Sequence, residues 1–588
     1  MILQALHNSY SRLFEQNMVP EFGFSIENVG FALEIDGEGN LVQEHDLRQG
    51  AGRDARSILM EVPYTNEVNV RANNVQPNFL VDKAAYLLGN DEKTKKDRLK
   101  KCHRQFKDLF LQITEGVSDD GVVAIRNFYK KWIPDKAPTI LKYWQDIAGG
   151  SMGFIVFRLS GERDYIHNHK KVREAWKKYI LSHDTGVHSN CLVTGESKEI
   201  QRVHAQFKGI KGGQTSGKSL VSFNFKSVES YRKEQSYNAP ISIQAEFKSS
   251  TALKCLIRSN AHHVYIGEAF TVFWTERDSP VEGFFGMILD PRDAAADNKE
   301  LFVFLESVRE GKFPQEYDPD IRFYILGLSP NAARLSVRFW HTSTVIDISE
   351  KLGQHFRDLS MVRSFDTDPE YPGMWRLLKE TANQKSKEGP SPLLAGAVMQ
   401  AILHGTPYPQ VLLSAVIGRI RAEQNINYMR AAIIKAVLVR KKRILGQGME
   451  VPMALDKDNK NVAYLLGRLF AVLERIQEDA HRDASGRPKI NSTIRDRYYT
   501  SASATPQMVF PLLLRLKMHN INRIENQGLV VNHEKLVGEI IDGLEGTSNF
   551  PKILNLERQG IFHIGYYHQR QDFYTKKDKP KTEESQNE

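Results

Sequence analysis

Cysteine is scarce: Cys102, Cys191 and Cys255 stand far apart in 588 residues and form no C-x-x-C pair. That spacing argues against a zinc ribbon and against a disulfide scaffold, and a reducing cytoplasm is the expected compartment. Long apolar runs are missing too, since none approaches the roughly 20 residues that a membrane-spanning helix needs. The opening MILQALHNSYSRLFEQN has no basic lead and no small-residue cleavage site. It is therefore expected to be an amphipathic first helix of the mature protein, with Ile2, Leu3, Leu6, Tyr10, Leu13 and Phe14 at helical spacing. There is no repeat of fixed period and little low-complexity sequence. The pairs His45–Asp46 and His183–Asp184, and His167 with His169, lack the further ligands of a metal nuclease. No nucleophile elbow is present. No catalytic residue is assigned, and no metal or cofactor is expected.

What is there is an ordinary folding composition, 41% hydrophobic and 26% charged, long enough for about three domains. A net charge of +9 and a pI near 9.1 favour acidic partners. Charge alone does not separate nucleic acid from an anionic membrane, but the lack of apolar runs disfavours the membrane. The fold class read from patterning is α+β: a mixed, largely antiparallel α/β region over 1–374, then a helical bundle over 375–573. FALEIDGEGNLV (Phe31 to Val42) reads as a hairpin around Asp-Gly. GFIVFRL (Gly153 to Leu159), LVSFNF (Leu220 to Phe225), TVFWTE (Thr271 to Glu276), FYILGL (Phe323 to Leu328) and RLSVRFW (Arg334 to Trp340) read as strands. Their mostly alternating apolar pattern suggests sheet with one wet face. Helical spacing dominates from MWRLLKETANQ onward, most clearly in NVAYLLGRLFAVLERIQEDA. The tail, 574–588, is polar and is expected to be disordered.

GGQTSGKS, Gly212 to Ser219, satisfies the phosphate-loop pattern G-x-x-x-x-G-K-[ST], in which Lys218 would reach phosphates and Ser219 would hold magnesium. A working loop follows a buried strand and opens a helix. Here the upstream IQRVHAQFKGIK is polar and basic, and the downstream SLVSFNF looks extended. An apolar run ending in Asp290 adds little. Three readings follow: an ATP loop in a nucleotide-hydrolysing enzyme, a solvated glycine hairpin, or a nucleic-acid element. In the last, Gly212 and Gly213 bring backbone close to DNA, and Gln214 reads base edges. Lys208, Lys211 and Lys218 neutralise phosphates, with Ser216 and Ser219 beside them.

Asn73, Asn74, Gln76 and Asn78 crowd the Pro-marked loop RANNVQPNF, where carboxamides suit minor-groove acceptors and adenine edges or serve as turn caps. Asn224, just after the glycine loop, is a candidate support for it. Among the basic runs, KTKKDRLKKCHRQFK and HKKVREAWKK read as solvated faces. RKKR (Arg440, Lys441, Lys442, Arg443) sits where a strand-tracking groove would be useful. Arg495 and Arg497 stand beside Tyr498 and Tyr499, a combination suited to single strands unless the tyrosines are core.

MILQALHNSYSRL, QPNFLVDKAAYLLG, CLVTGE, KGIKGGQTSGKSLVSFN, YNAPIS, FYILGLSPNAARLSVRFW and SASATPQMVFPLLLRL occur in this order along nearly the whole chain. Together they resemble the large subunit of the type I-C CRISPR surveillance complex (Cascade), the Csd-type large subunit family. The resemblance implies a non-enzymatic, cytoplasmic subunit near the 5′ end of the guide RNA, beside the backbone and guide-handling subunits. It implies recognition of the protospacer-adjacent motif in double-stranded DNA, duplex opening and R-loop formation. Holding of the displaced single strand and recruitment of a helicase-nuclease follow with it. Guide pairing carries most of the sequence specificity in such systems. In the family the glycine loop is a nucleic-acid element whose lysine slot is often uncharged, which makes GKS a near-accidental match to the ATP signature.

The resemblance also implies that a helical C-terminal piece is made separately as a small subunit. Met453 fits such an internal start, giving 453–588, with Asp456, Asp458 or Asn459 placed to cap the next helix. Met449, Glu450 and Val451 precede it. If Glu450 is encoded GAG, these codons contain the ribosome-binding sequence GGAGGT.

Overall fold

The computed structural model describes residues 2–50, 55–64, 75–149, 153–182, 186–215, 217–266, 268–289, 303–304, 306–308, 310–313, 317–383, 389–482, 490–544 and 550–574. The expected disordered tail lies outside them beyond Tyr574. The architecture is α+β. Two compact units divide the chain, one formed by 1–260 with 328–340, the other by 261–327 with 341–588. This division does not coincide with the change of composition near 375.

In the first unit, helix α1 (Ile2–Glu15) buries Leu6, Tyr10 and Leu13. The long strand β1 (Phe24–Ile35) organises the main sheet. β2 (Leu41–Asp46) runs antiparallel to its second half, with Phe31 opposite Asp46 and Leu33 opposite Glu44. The turn between them forms as the Asp-Gly signal predicts: Asp36 Oδ1 accepts from the Asn40 amide at 2.8 Å. β3 (Ile58–Pro63) is antiparallel to the first half of β1. β4 (Phe154–Leu159) pairs with Val29–Ile35 in parallel. Because β2 and β4 pair with the same residues of β1, they lie on opposite edges of it.

Helices α2 (Lys96–Ile113), α3 (Asp120–Lys131) and α4 (Lys170–Ser182) supply Phe106, Phe110, Ile125, Phe128, Val172 and Trp176 to the core of this sheet. The basic run beginning at Lys93 thus becomes a helix whose apolar face, including Cys102, is buried. α5 (Ile243–Arg258), capped by Ser242, packs on α1. Two short strands, β5 (Gln206–Phe207) and β6 (Lys218–Ser219), frame the glycine loop.

The second unit begins with the antiparallel pair β7 (His263–Ile266) and β8 (Ala269–Thr275). A long hairpin follows, β9 (Arg322–Asn331) and β10 (Arg334–Thr344). Its tip, 328–340, belongs to the first unit and its base to the second. β8 is buried at every residue and β9 from Phe323 to Ser329, so neither has the wet face that alternation suggests. Thr275, polar in the pattern, is buried and donates its hydroxyl to Glu282. LVSFNF forms no strand; beside it, only Lys218 and Ser219 are paired.

From Val345 onward every described element is helical. These include α6 (Val345–Leu359), α7 (Pro392–His404), α8 (Gln410–Glu423), α9 (Tyr428–Leu445) and α10 (Val462–Ala480). α11 (Ile494–Ala504), α12 (Pro506–Ile521), α13 (Gln527–Asp542) and α14 (Leu556–Tyr574) complete the series. α10 is capped by Asn461, whose side chain accepts from the amides of Ala463 and Tyr464. None of Asp456, Asp458 and Asn459 is the cap: the Asp456 and Asn459 side chains accept from the Asp458 and Asn461 amides in the preceding turns. α10 and α14 cross at two glycines. A Cβ on Gly467 would stand 2.0 Å from the Phe562 carbonyl oxygen, and one on Gly565 2.2 Å from that of Tyr464. Only glycine permits this approach.

Candidate nucleic-acid interface

β5 and β6 pair antiparallel, Gln206 with Ser219 and Phe207 with Lys218, and the loop 208–217 spans them. β6 also meets the start of β10, where Ser219 lies beside Arg334 in parallel register. Two backbone bonds tie the loop to the hairpin tip: the Gln214 amide donates to the Ala332 carbonyl at 3.0 Å, and the Ser219 amide to that of Ala333 at 3.0 Å. Gly212 and Gly213 take φ of +88° and +65°, which a side chain disfavours. A Cβ on Gly213 would stand 2.7 Å from the Ala332 oxygen. The glycines let the chain turn tightly over the hairpin and leave residues 211–215 exposed, with Lys208 exposed at the loop's base. Ser216 lies outside the described residues.

Lys218 is placed differently from its expected role. It is 4% exposed, and its Nζ donates to the Ile210 carbonyl at 2.8 Å. The ammonium staples the loop's two ends from inside and presents no charge to a ligand. Ser219 is half-buried in a two-residue strand. No α-helix opens after it; two 3₁₀ turns occupy Lys226–Val228 and Gln235–Asn238, and the next α-helix is α5. The phosphate-loop geometry, with backbone amides at a helix N-terminus and an outward lysine, is not formed. The reading of Lys218 and Ser219 as an ATP site is corrected on that ground.

Next to the loop, the Asn224 side-chain oxygen accepts from Arg334, and the Arg334 guanidinium lies 4.7 Å from the centroid of the Phe225 ring. Phe225 is 52% exposed. Asn224 therefore supports the hairpin side of this surface. The Arg334–Phe225 pair went unseen in sequence, where the only signal is an aromatic residue within a polar stretch.

The other candidate residues do not gather here. Asn73 and Asn74 lie outside the described residues. Asn78 is 2% exposed; its backbone amide donates to Asp82 Oδ2 at 2.8 Å, and its carboxamide has no partner among the described residues. It is an interior residue rather than a surface reader. RKKR is also mostly absorbed by the fold. Arg440 is buried with its Nε 3.0 Å from Oδ2 of the buried Asp358, and Arg443 donates to both carboxylate oxygens of Asp358 at 2.6 and 2.9 Å. Lys441 pairs with Glu557 and Lys442 with Glu450. Arg440 is withdrawn from the surface, while Lys441 and Lys442 are engaged in ion pairs and Arg443 remains exposed.

Arg495 turns towards buried Glu474 at 3.6 Å, and Tyr499 is fully buried against His563 and Tyr566. Arg497 alone of this set is exposed, beside half-buried Tyr498.

Among the described residues no group of three or more His, Cys, Asp or Glu side chains is arranged to hold a metal. Among them, too, no helix is long and apolar enough to cross a membrane. His45 is paired with Glu34, which Arg158 and His45 together hold at a pKa of about 2.

Compared with known families, residues 6–574 match the family model described as CRISPR-associated protein (Cas_Csd1). The search of curated proteins returns no match.

Proposed function

Because the chain belongs to the Cas_Csd1 family of CRISPR-associated proteins over nearly its whole length, we propose that it is the non-catalytic large subunit of an RNA-guided surveillance complex. In this reading it recognises a short protospacer-adjacent motif in duplex DNA and promotes opening of the duplex for guide pairing. The observation that carries the reading is the exposed loop 211–215. It is glycine-rich, held against a hairpin tip by its backbone, and its lysine of apparent ATP type is withdrawn into the fold. Such a loop offers backbone and Gln214 to a groove, while Lys208 stands ready for phosphate. Gly212 and Gly213 allow the approach, and Lys211 adds positive charge. Arg497 with Tyr498, and the exposed Arg443, are the displaced-strand candidates that stay at the surface.

The partners in this proposal are guide RNA, the backbone and guide-handling subunits, target DNA and a helicase-nuclease. A small subunit started at Met453 belongs to the same proposal. Helices α10 to α14, which it would contain, pack chiefly on one another: α10 meets α12, α13 and α14, and α11 meets α12 and α14. Met453 itself is exposed.

Guide complexes assembled with and without this chain test the reading at fixed salt, on matched duplexes carrying correct or scrambled adjacent motifs. The motif preference is expected to require the chain. Equal discrimination without it would overturn the proposal.

A further inference from the structure

The first unit contains a cavity of about 390 Å³, within the size range of small-molecule sites. It lies between α4, α5 and the start of β1. Aromatic side chains build its walls: Tyr179, stacked on Trp176 at 5.9 Å, and Phe22 with Phe247, edge to face at 5.2 Å, while Trp176 is buried and also stacks on Phe79 at 5.4 Å. Trp176 is fixed, since its indole N–H donates to the Gly23 carbonyl at 2.6 Å.

Against these faces stand polar groups with unused capacity. Lys254, Thr251 and Gln76 are among the lining residues, and none of their side chains makes a hydrogen bond among the described residues. Gln201 donates to the Val203 carbonyl at 2.9 Å and keeps its side-chain oxygen. Burial pushes the Lys254 pKa down, while Glu246 and Glu27 act on it only at a distance. Lys254 is half-buried, so a ligand in the cavity would replace water as its partner. Glu199 also lines the cavity, which disfavours a bare phosphate and suits a ligand carrying both donors and acceptors.

We infer that this cavity receives a single nucleobase. The ring system packs among the aromatic side chains, its keto oxygens or ring nitrogens accept from Lys254 and Thr251, and its remaining edge meets Gln76 and Gln201. Flat aromatic walls supply stacking that any base can use, and mixed donors and acceptors supply the reading of its edge. The choice of a base rests on the proposed nucleic-acid role. Its source is either a nucleotide turned out of a strand or a free nucleoside.

The test uses the full chain and RNA and DNA octamers carrying one central 2-aminopurine, whose fluorescence falls on stacking. Saturable quenching that free adenosine, guanosine, cytidine or uridine competes away is the expected result. Lys254→Met and Thr251→Val are each expected to weaken it at least tenfold while thermal unfolding stays unchanged. Competition by a nucleoside at concentrations near those of the octamer identifies the free ligand as source; competition only at large excess identifies the strand. Quenching that survives Lys254→Met and Thr251→Val, or no quenching at all, overturns the inference. Motif-dependent duplex binding by the guide complex, measured with Lys254→Met in parallel, separates the two failures. If discrimination persists while octamers are not quenched, the cavity assignment is wrong and the motif-reading role stands. If discrimination is absent from wild type, the role itself fails.

Discussion

Replacing Lys218 with methionine separates the two meanings of the GKS sequence. The substitution keeps the stem but removes an ammonium that is 4% exposed and 2.8 Å from the Ile210 carbonyl. A hydrogen bond to a charged group contributes about 1.5–3 kcal/mol, and the carbonyl left without a partner adds its own cost. Relief of the buried charge offsets part of this, so a net loss of about 1–3 kcal/mol is expected. At roughly 2–4 °C per kcal/mol for a unit of 150–250 residues, and somewhat less for this larger one, melting falls by several degrees. Because the ammonium faces inward, the salt dependence of DNA binding by the assembled complex is expected to keep its slope. Lys208→Met is the contrasting variant: unchanged melting, and a slope smaller by about 0.9 for one lost phosphate contact. Thermal unfolding and binding across a salt series read both variants. The reasoning is refuted if Lys218→Met leaves melting intact while lowering the slope, or abolishes a nucleoside-triphosphatase activity present in wild type.

Three further expectations concern the second unit, and one concerns the gene. His355, His563 and His568 are buried, which lowers their pKa values from 6.5 to about 3, 3 and 4, with Arg440, Arg421 and Lys435 respectively adding to the shift. The unfolded chain binds these protons first, so stability falls as pH drops below about 6.5, at up to about 4 kcal/mol per pH unit near pH 5. The loss levels off only near the folded values, His341, lowered to about 4 by burial, adds to it, and His563→Gln should remove about 1.4 kcal/mol per pH unit near pH 5 in urea titrations. Gly467→Ala is expected to destabilise by about 1–3 kcal/mol through overpacking against the Phe562 backbone, outweighing the ~1 kcal/mol gain in helix propensity; unchanged urea midpoints would contradict the crossing. Asp358→Asn leaves Arg440 and Arg443 without their carboxylate, and a loss of about 3–5 kcal/mol by chemical unfolding is expected. Synonymous recoding of Glu450, and separately Met453→Leu, should remove a fragment beginning at residue 453; mass spectrometry of the native gene product checks this, and an unaltered fragment would contradict the internal start.

Local signals in the sequence carried the elements that local physics decides. The 3–4 spacing marks α1 and its buried face and marks α10 as a helix, though α10 is buried all round from Ala463 to Glu474, and Asp-Gly marks the turn that Asp36 closes. Non-local partners decided the rest. Thr271 and Thr275 made β8 look alternating, but both are buried, and Thr275 is satisfied by Glu282. RKKR reads as a basic surface until Asp358, 82 to 85 residues away, draws Arg440 and Arg443 to it. Asn78 is drawn inward beside Asp82. The glycine loop itself was legible, since a run of glycines needs positive φ. The direction of Lys218 was not, because its acceptor is a backbone carbonyl that any sequence possesses.

The central claim is that exposed residues 211–215 read DNA while Lys218 holds them in place. The most direct measurement replaces 211–215 with a serine-rich loop of equal length, keeping Gly217 and Lys218, and assembles the variant into the guide complex. Binding to matched duplexes with correct and scrambled adjacent motifs is then compared with wild type at one salt concentration. The account predicts that the variant assembles normally and loses the preference for the correct motif. Undiminished preference in a normally assembled complex would contradict it.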